Sequence, residues 1–269
     1  MTSLDIKDIS RVICLTNGHT IGIIRMFKKL NNWALIGLLL LPFSSIHADP
    51  SNDLEEFRSK LTNEWLLVKN DRLRKIKTYA RLEDGKRYRS FKVEAILDSS
   101  VEAGVRVLLD AENYTKWYWE VFESRLLKQA SPTEYFIYLK HRAPVSLPDR
   151  DVILHAVVTP QKKPTDSIVI NVKAAPDYIP EAPPLIRMPA EDMIAEFTPL
   201  PNNQVKLVAE GYVDPGGNMA SWAINFVQRS GPYTTLLGMR RMLQQPELIN
   251  SKMPLPFPVY NFDNLSQLQ

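Results

Sequence analysis

Cysteine is almost missing from this sequence. The one residue, Cys14 among 269, has no partner for an internal disulfide and cannot build a thiolate metal cluster. Histidine is scarce too, with four residues, and glycine, at 10, is half as frequent as proline, at 20. That excess predicts many loops and turns and excludes a collagen-like repeat. No nucleophile elbow, P-loop or dinucleotide fingerprint is present. No run of 18 apolar residues occurs, which excludes a multi-spanning membrane protein. Neither sign of charge dominates, with 33 Lys+Arg against 30 Asp+Glu. What is present is a 45% hydrophobic fraction with aromatics spread along the chain, enough for one large domain or two small ones and too much for a disordered tail protein.

The first 48 residues read as a segment apart. Lys28 and Lys29 precede the apolar run Trp33–Leu41, and Pro42 and the small, polar stretch to Ala48 follow. That is the layout of a secretory signal peptide, with cleavage expected near Ala48 and a periplasmic or secreted product. Asp5 and Asp8 suit such a leader poorly, so Met26 is the expected true start. Residues 1–48 hold five basic side chains (Lys7, Arg11, Arg25, Lys28, Lys29) and two acidic ones, which leaves 28 of each sign beyond them. The mature chain is thus expected to be neutral, with no electrostatic footprint for nucleic acid. It keeps two histidines, His141 and His155, too few for a His/Cys zinc site. No cofactor or metal is expected.

Beyond the leader, the pattern alternates between two periods. Leu54, Phe57 and Leu61 predict a short helix over 50–64. Strands are expected at 65–68, 76–81 and 88–97, the last from its period of two. Ser99 and Ser100 then cap a helix carrying Val101, Val105, Leu108 and Leu109. A meander follows at 125–130, 134–141, 151–159, 168–174, 191–198 and 204–213. The Pro-rich segment 176–189 is expected to be a surface loop or lip. The last helix carries Met219, Trp222, Ala223, Phe226 and Val227 on one face, and Gly231-Pro232 is expected to kink or split it. Residues 246–269 read as a Pro-rich tail. Helices at both ends of an antiparallel meander make an α+β fold. Strand 151–159 is apolar on both faces, which a sheet curling around the last helix would explain.

Three segments resemble one family. Leu147-Pro148-Asp149-Arg150-Asp151-Val152, then Gly211 to Trp222, and Tyr114-Thr115-Lys116-Trp117 after Leu108-Leu109 are similar to the START (steroidogenic-acute-regulatory-related lipid transfer) domain over roughly 49–245. The resemblance implies a helix-grip fold: a curved antiparallel β-sheet wrapped around a long C-terminal α-helix, closing an apolar tunnel for one lipid. It implies lipid binding or transport with transient membrane contact. The ligand would be a phospholipid or another apolar molecule. A sterol is the weaker assignment, because Ala156 stands where sterol-binding members resemble one another in a buried Arg. Ala220 also replaces the family's Pro at the helix start. A cyclase-like or hydrolase-like enzyme on the same fold is the alternative, since fold alone does not fix function.

The resemblance raises Met219, Trp222, Ala223, Phe226 and Val227 to tunnel wall, where periodicity alone reads them as ordinary core. Trp117 and Tyr138 are further lipid-contact candidates. Glu94, Glu210 and Arg142, polar residues on otherwise apolar strands, are candidate head-group partners, with a solvated face as the competing reading. Arg150 and Asp151 read as a strand-start ion pair or turn anchor rather than as chemistry. No catalytic residue is assigned.

Overall fold

A computed structural model of the chain describes residues 63–144, 146–219, 221–249 and 254–262, and for Ser221, Trp222, Asn225, Leu248 and Ile249 it describes the backbone alone. The expected leader and Met26 start, the helix over 50–64 apart from its last two residues, and the end of the tail lie outside the described residues. Ten strands form one sheet: β1 (Leu66–Asp71), β2 (Ile76–Arg81), β3 (Ser90–Leu97), β4 (Val121–Ser131), β5 (Glu134–His141), β6 (Arg150–Thr159), β7 (Ile168–Ala174), β8 (Ile186–Arg187), β9 (Ala190–Leu200) and β10 (Gln204–Asp214). Two helices matter for the site, α1 (Val101–Leu109) and α2 (Ser221–Met242).

The strand order is β1-β2-β3-β10-β9-β7-β6-β5-β4, antiparallel along this path. Its register follows from alternation. Val93, Ala209, Ala195, Ile170 and Val158 stand side by side across five strands, and all are buried. Shifting any strand by one residue would turn its polar set inward, so this row pins the pairing. The curved sheet with its C-terminal helix is the α+β helix-grip arrangement. Helix α1 starts where expected: the Ser100 hydroxyl accepts the Ala103 N–H at 3.1 Å. Its Gly104 lies so close to Phe197 that a Cβ would meet the ring at 2.9 Å.

The curved sheet accounts for the inner apolar face of β6, and the outer face has a cover of its own. The Pro-rich loop packs over its outer face and adds a short parallel strand, β8, beside Arg150 and Asp151. Arg187 forks onto Asp151, Nε to Oδ1 at 3.0 Å and Nη2 to Oδ2 at 2.9 Å, with side chains 4% and 1% exposed. Its other N–H groups reach the carbonyls of Pro176, Ile179 and Pro180. Asp151 therefore pairs with Arg187, and not with Arg150, because neighbours on a strand point to opposite faces.

Helix α2 runs unbroken through Pro232 for 22 residues, so of the expected kink or split the split does not occur. It is docked where a side chain is impossible: a Cβ on Gly238 would lie 2.0 Å from the Trp117 carbonyl oxygen. Among the described residues no helix is long and apolar enough to cross a membrane.

Candidate functional site

A cavity of about 180 Å³ lies between α2 and the inner face of the sheet, and its lining is mostly apolar. Its middle is walled by Val93, Ala195 and Ala209, one end by Phe197, Leu207 and Met239. The other end carries Arg89, His141, Arg150, Glu191 and Gln228. Glu191 and Phe197 are six residues apart on β9, which is ~20 Å along an extended strand. The space is therefore graded from a polar end to an apolar end.

The polar end is built by strand parity. Glu191 shares the inward parity of Ala195 and Phe197 on β9. His141 follows Ile137 and Leu139 on β5, and Arg150 precedes Val152 and Leu154 on β6. His141 and Arg150 are direct cross-strand partners.

Glu191 is 5% exposed, and both its oxygens are engaged. The Tyr118 hydroxyl donates to Oε1 at 2.7 Å, and His141 Nε2 lies 3.0 Å from Oε2. Burial works to raise this carboxyl, but the His141 charge and hydrogen bond and the Tyr118 hydroxyl outweigh it, so the net direction is down. The same surroundings push the Tyr118 phenol well up, burial first and the Glu191 charge second. A side chamber of about 20 Å³ opens beside Tyr118 and Glu191, the size of one water.

Arg150 is 3% exposed. Its Nε donates to the Pro215 carbonyl at 3.3 Å and its Nη1 to that of Pro148, while Nη2 has no partner. Burial lowers this guanidinium, opposed only in part by Asp149 and Tyr88. Arg89 is pulled down to about 10, by burial and then by the like charge of Arg229.

Of the residues expected to contact lipid, Trp117, Met219 and Val227 line the cavity, and Arg142 stands at its rim with its guanidinium 5.3 Å from the Phe122 ring centroid. Ala223 is fully buried but stands outside the lining. Phe226 is 53% exposed, with its ring 5.8 Å from that of Trp119. The side chain of Trp222 lies outside the described residues.

Three candidates face away from the cavity. Glu94 and Glu210 alternate with the inward Val93 and Ala209, and meet Lys92 on the outer face at 3.3 and 3.4 Å. The Tyr79 hydroxyl also reaches Glu94 at 3.1 Å. Tyr138 likewise points outward, donating to Asp151 Oδ2 at 3.0 Å, and burial pushes its phenol up to about 12. The residues that sequence reasoning missed, Tyr118, His141, Glu191 and Gln228, include two with a legible signal: His141 and Glu191 are ionisable groups on inward parity.

A curved sheet gripping one long helix over an apolar cavity defines a helix-grip protein of the lipid-transfer type. Comparison with known proteins makes this particular. A solved STAR-related lipid transfer protein from Xanthomonas axonopodis is 31% identical, with a TM-score of 0.61, over 67% of this chain and 99% of that one. The chain belongs to the START family. An uncharacterized protein of Pseudomonas aeruginosa is 28% identical over 182 residues, 67% of this chain and 87% of that one. Human STARD10, 19% identical with a TM-score of 0.60 over 80% of this chain and 87% of that one, shares the fold. No protein-family model matches the sequence.

Proposed function

We propose that the protein binds one lipid in this cavity and carries it between membranes, with the N-terminal half of α2 as the gate. The observation that carries this reading is the graded cavity itself. An apolar chain finds an apolar end, at about 0.8 kcal/mol per buried CH₂, and a polar head finds polar groups. Ordering and desolvation costs cut the net affinity well below the gross gain. The Pro-rich loop is the poorer gate, because Arg187 holds it by a buried fork and three carbonyl bonds. The leader-like layout of residues 28–48 supports work in a cell envelope or outside the cell. Exposed Phe226 beside Trp119 supports brief contact with a bilayer surface.

The test is lipid extraction from the purified full chain followed by mass spectrometry, with uptake from labelled vesicles. One lipid per chain is expected, and Val227→Arg, which puts a charge into the cavity wall, should abolish uptake. Absence of extractable lipid together with no uptake overturns the reading. A second reading, acid–base catalysis on a bound ligand, rests on His141 held against Glu191 in the cavity wall. It requires turnover of a cyclic or ester substrate that His141→Asn stops while lipid uptake persists.

A further inference from the structure

The lipid reading leaves the chemistry of the head group open, and the unpaired atoms of the cavity wall speak to it. Seven buried side-chain polar atoms among the described residues lack a well-aligned hydrogen bond, and five of them belong to residues lining the cavity. Two of the five, His141 Nε2 and Glu191 Oε2, face each other at 3.0 Å. The remaining three are Arg150 Nη2, Trp117 Nε1 and Gln228 Nε2. Guanidinium and indole nitrogens can only donate. The cavity therefore presents donors and asks for acceptors.

Arg150 adds a charge to this demand. Among the described residues it forms no ion pair within 4.0 Å; its nearby acid, Asp149, is turned to the Ala143 N–H at 2.9 Å. A guanidinium this deeply buried and with no carboxylate in contact is costly, and a bound anion relieves it. Of the carboxylates in the lining, Glu191 is held by Tyr118 and His141, Asp192 accepts the Ala174 N–H, and Glu120 is exposed to solvent.

We infer that the site takes a lipid with an anionic oxygen head, carboxylate or phosphate, held by Arg150 Nη2 with Trp117 Nε1 and Gln228 as further donors. This rests on the lipid reading above and deepens it. Arg150 also holds the Pro215 carbonyl, just ahead of α2, so the head group would sit beside the entry to the gating helix.

The experiment is a binding titration of the lipid-stripped full chain with four probes: palmitate, hexadecyl phosphate, hexadecanol and inorganic phosphate. Either acid is expected to bind at least tenfold more tightly than hexadecanol, and inorganic phosphate alone to bind far more weakly than hexadecyl phosphate. In Arg150→Met the preference should fall to within about twofold while hexadecanol binding holds. Equal binding of acids and alcohol by the unmodified protein overturns the inference and leaves the lipid reading standing. So does a preference that survives in Arg150→Met. Inorganic phosphate binding as tightly as hexadecyl phosphate makes the site one for a free anion and overturns the inference as well. If no long-chain probe binds, the lipid reading itself fails. Should Arg150→Met not fold, the unmodified protein's acid-to-alcohol ratio decides, alongside Gln228→Leu, expected to cut that ratio about threefold.

Discussion

The two halves of α2 are held by different forces. From Tyr233 onward the helix is tied to the β1–β2 hairpin and its surroundings. The Tyr233 hydroxyl donates to Asp71 at 2.6 Å, Lys69 sits 3.6 Å from the centroid of its ring, and Arg240 reaches the carbonyls of Arg74 and Ile96 at 3.1 and 3.2 Å. Leu236 and Met239 are buried beneath, and Gly238 rests on the Trp117 backbone. Among the described residues before Pro232, Ala223 is buried while Phe226 packs on Trp119 with half its surface open to solvent. Pro232 itself removes one backbone hydrogen bond at the junction. On the lipid reading proposed above, a helix anchored at one end and weakened at the join would open over the polar end of the cavity.

The largest effect concerns the rival gate. Asp151→Ala leaves the Arg187 guanidinium buried and unpaired, and removing one partner of such a pair costs about 3–5 kcal/mol. Urea unfolding should report that loss. A variant as stable as the parent would free the loop to compete with the helix as the moving part.

Next is the anchored half. Gly238→Ala forces a Cβ to within 2.0 Å of a backbone oxygen, which no rotamer relieves, so a loss of about 3 kcal/mol is expected. Gly231→Ala, in the other half, meets only the edge of the Trp119 ring at 3.2 Å. It should cost about 1 kcal/mol or less. Similar costs at both positions would erase the difference between the halves. Amide hydrogen exchange reads the same contrast without mutation: amides before Pro232 should exchange at least about tenfold faster than those at 236–240, as expected for low local stability.

Much of this was legible in the sequence, and the misses share a cause. Strands β5 and β7 were expected with the bounds they have, because their alternation is clean and their flanks carry turn residues. The Ser100 cap was readable for the same reason. The prolines mark 176–189 as a surface loop, but its clasp on Asp151 is not legible, since a contact across 36 residues leaves no local period. Glu94 and Glu210 drew attention as charges on apolar strands, yet they sit on outward parity. Glu191 and His141 carry the same oddity on inward parity, and counting from the nearest buried neighbour would have separated the two sets. Gln228 and Tyr118 carry no such mark. They reach the cavity through the packing of α2 and of the turn after α1, which only the fold provides.

The smallest effect is electrostatic and belongs to the anchored half. Asp71 is held down to about 2, first by the Tyr233 hydroxyl, then by the Arg74 N–H and guanidinium. A carboxyl whose folded value lies below its unfolded value of about 3.9 stabilises the fold fully above that value and ceases to do so as pH falls toward 2. Tyr233→Phe removes the largest of these causes. The Asp71 titration, followed by carboxyl carbon NMR, should then move up toward the ordinary range, and the two proteins should differ slightly in stability at neutral pH and converge below pH 2. The Arg74 side chain of this network is half exposed, so salt should shrink this difference. An unchanged Asp71 titration would mean that Tyr233 is held by packing and by Lys69 alone. If the shift is seen, acid slackens the anchored half of α2 specifically, and the contrast between the halves narrows as pH falls.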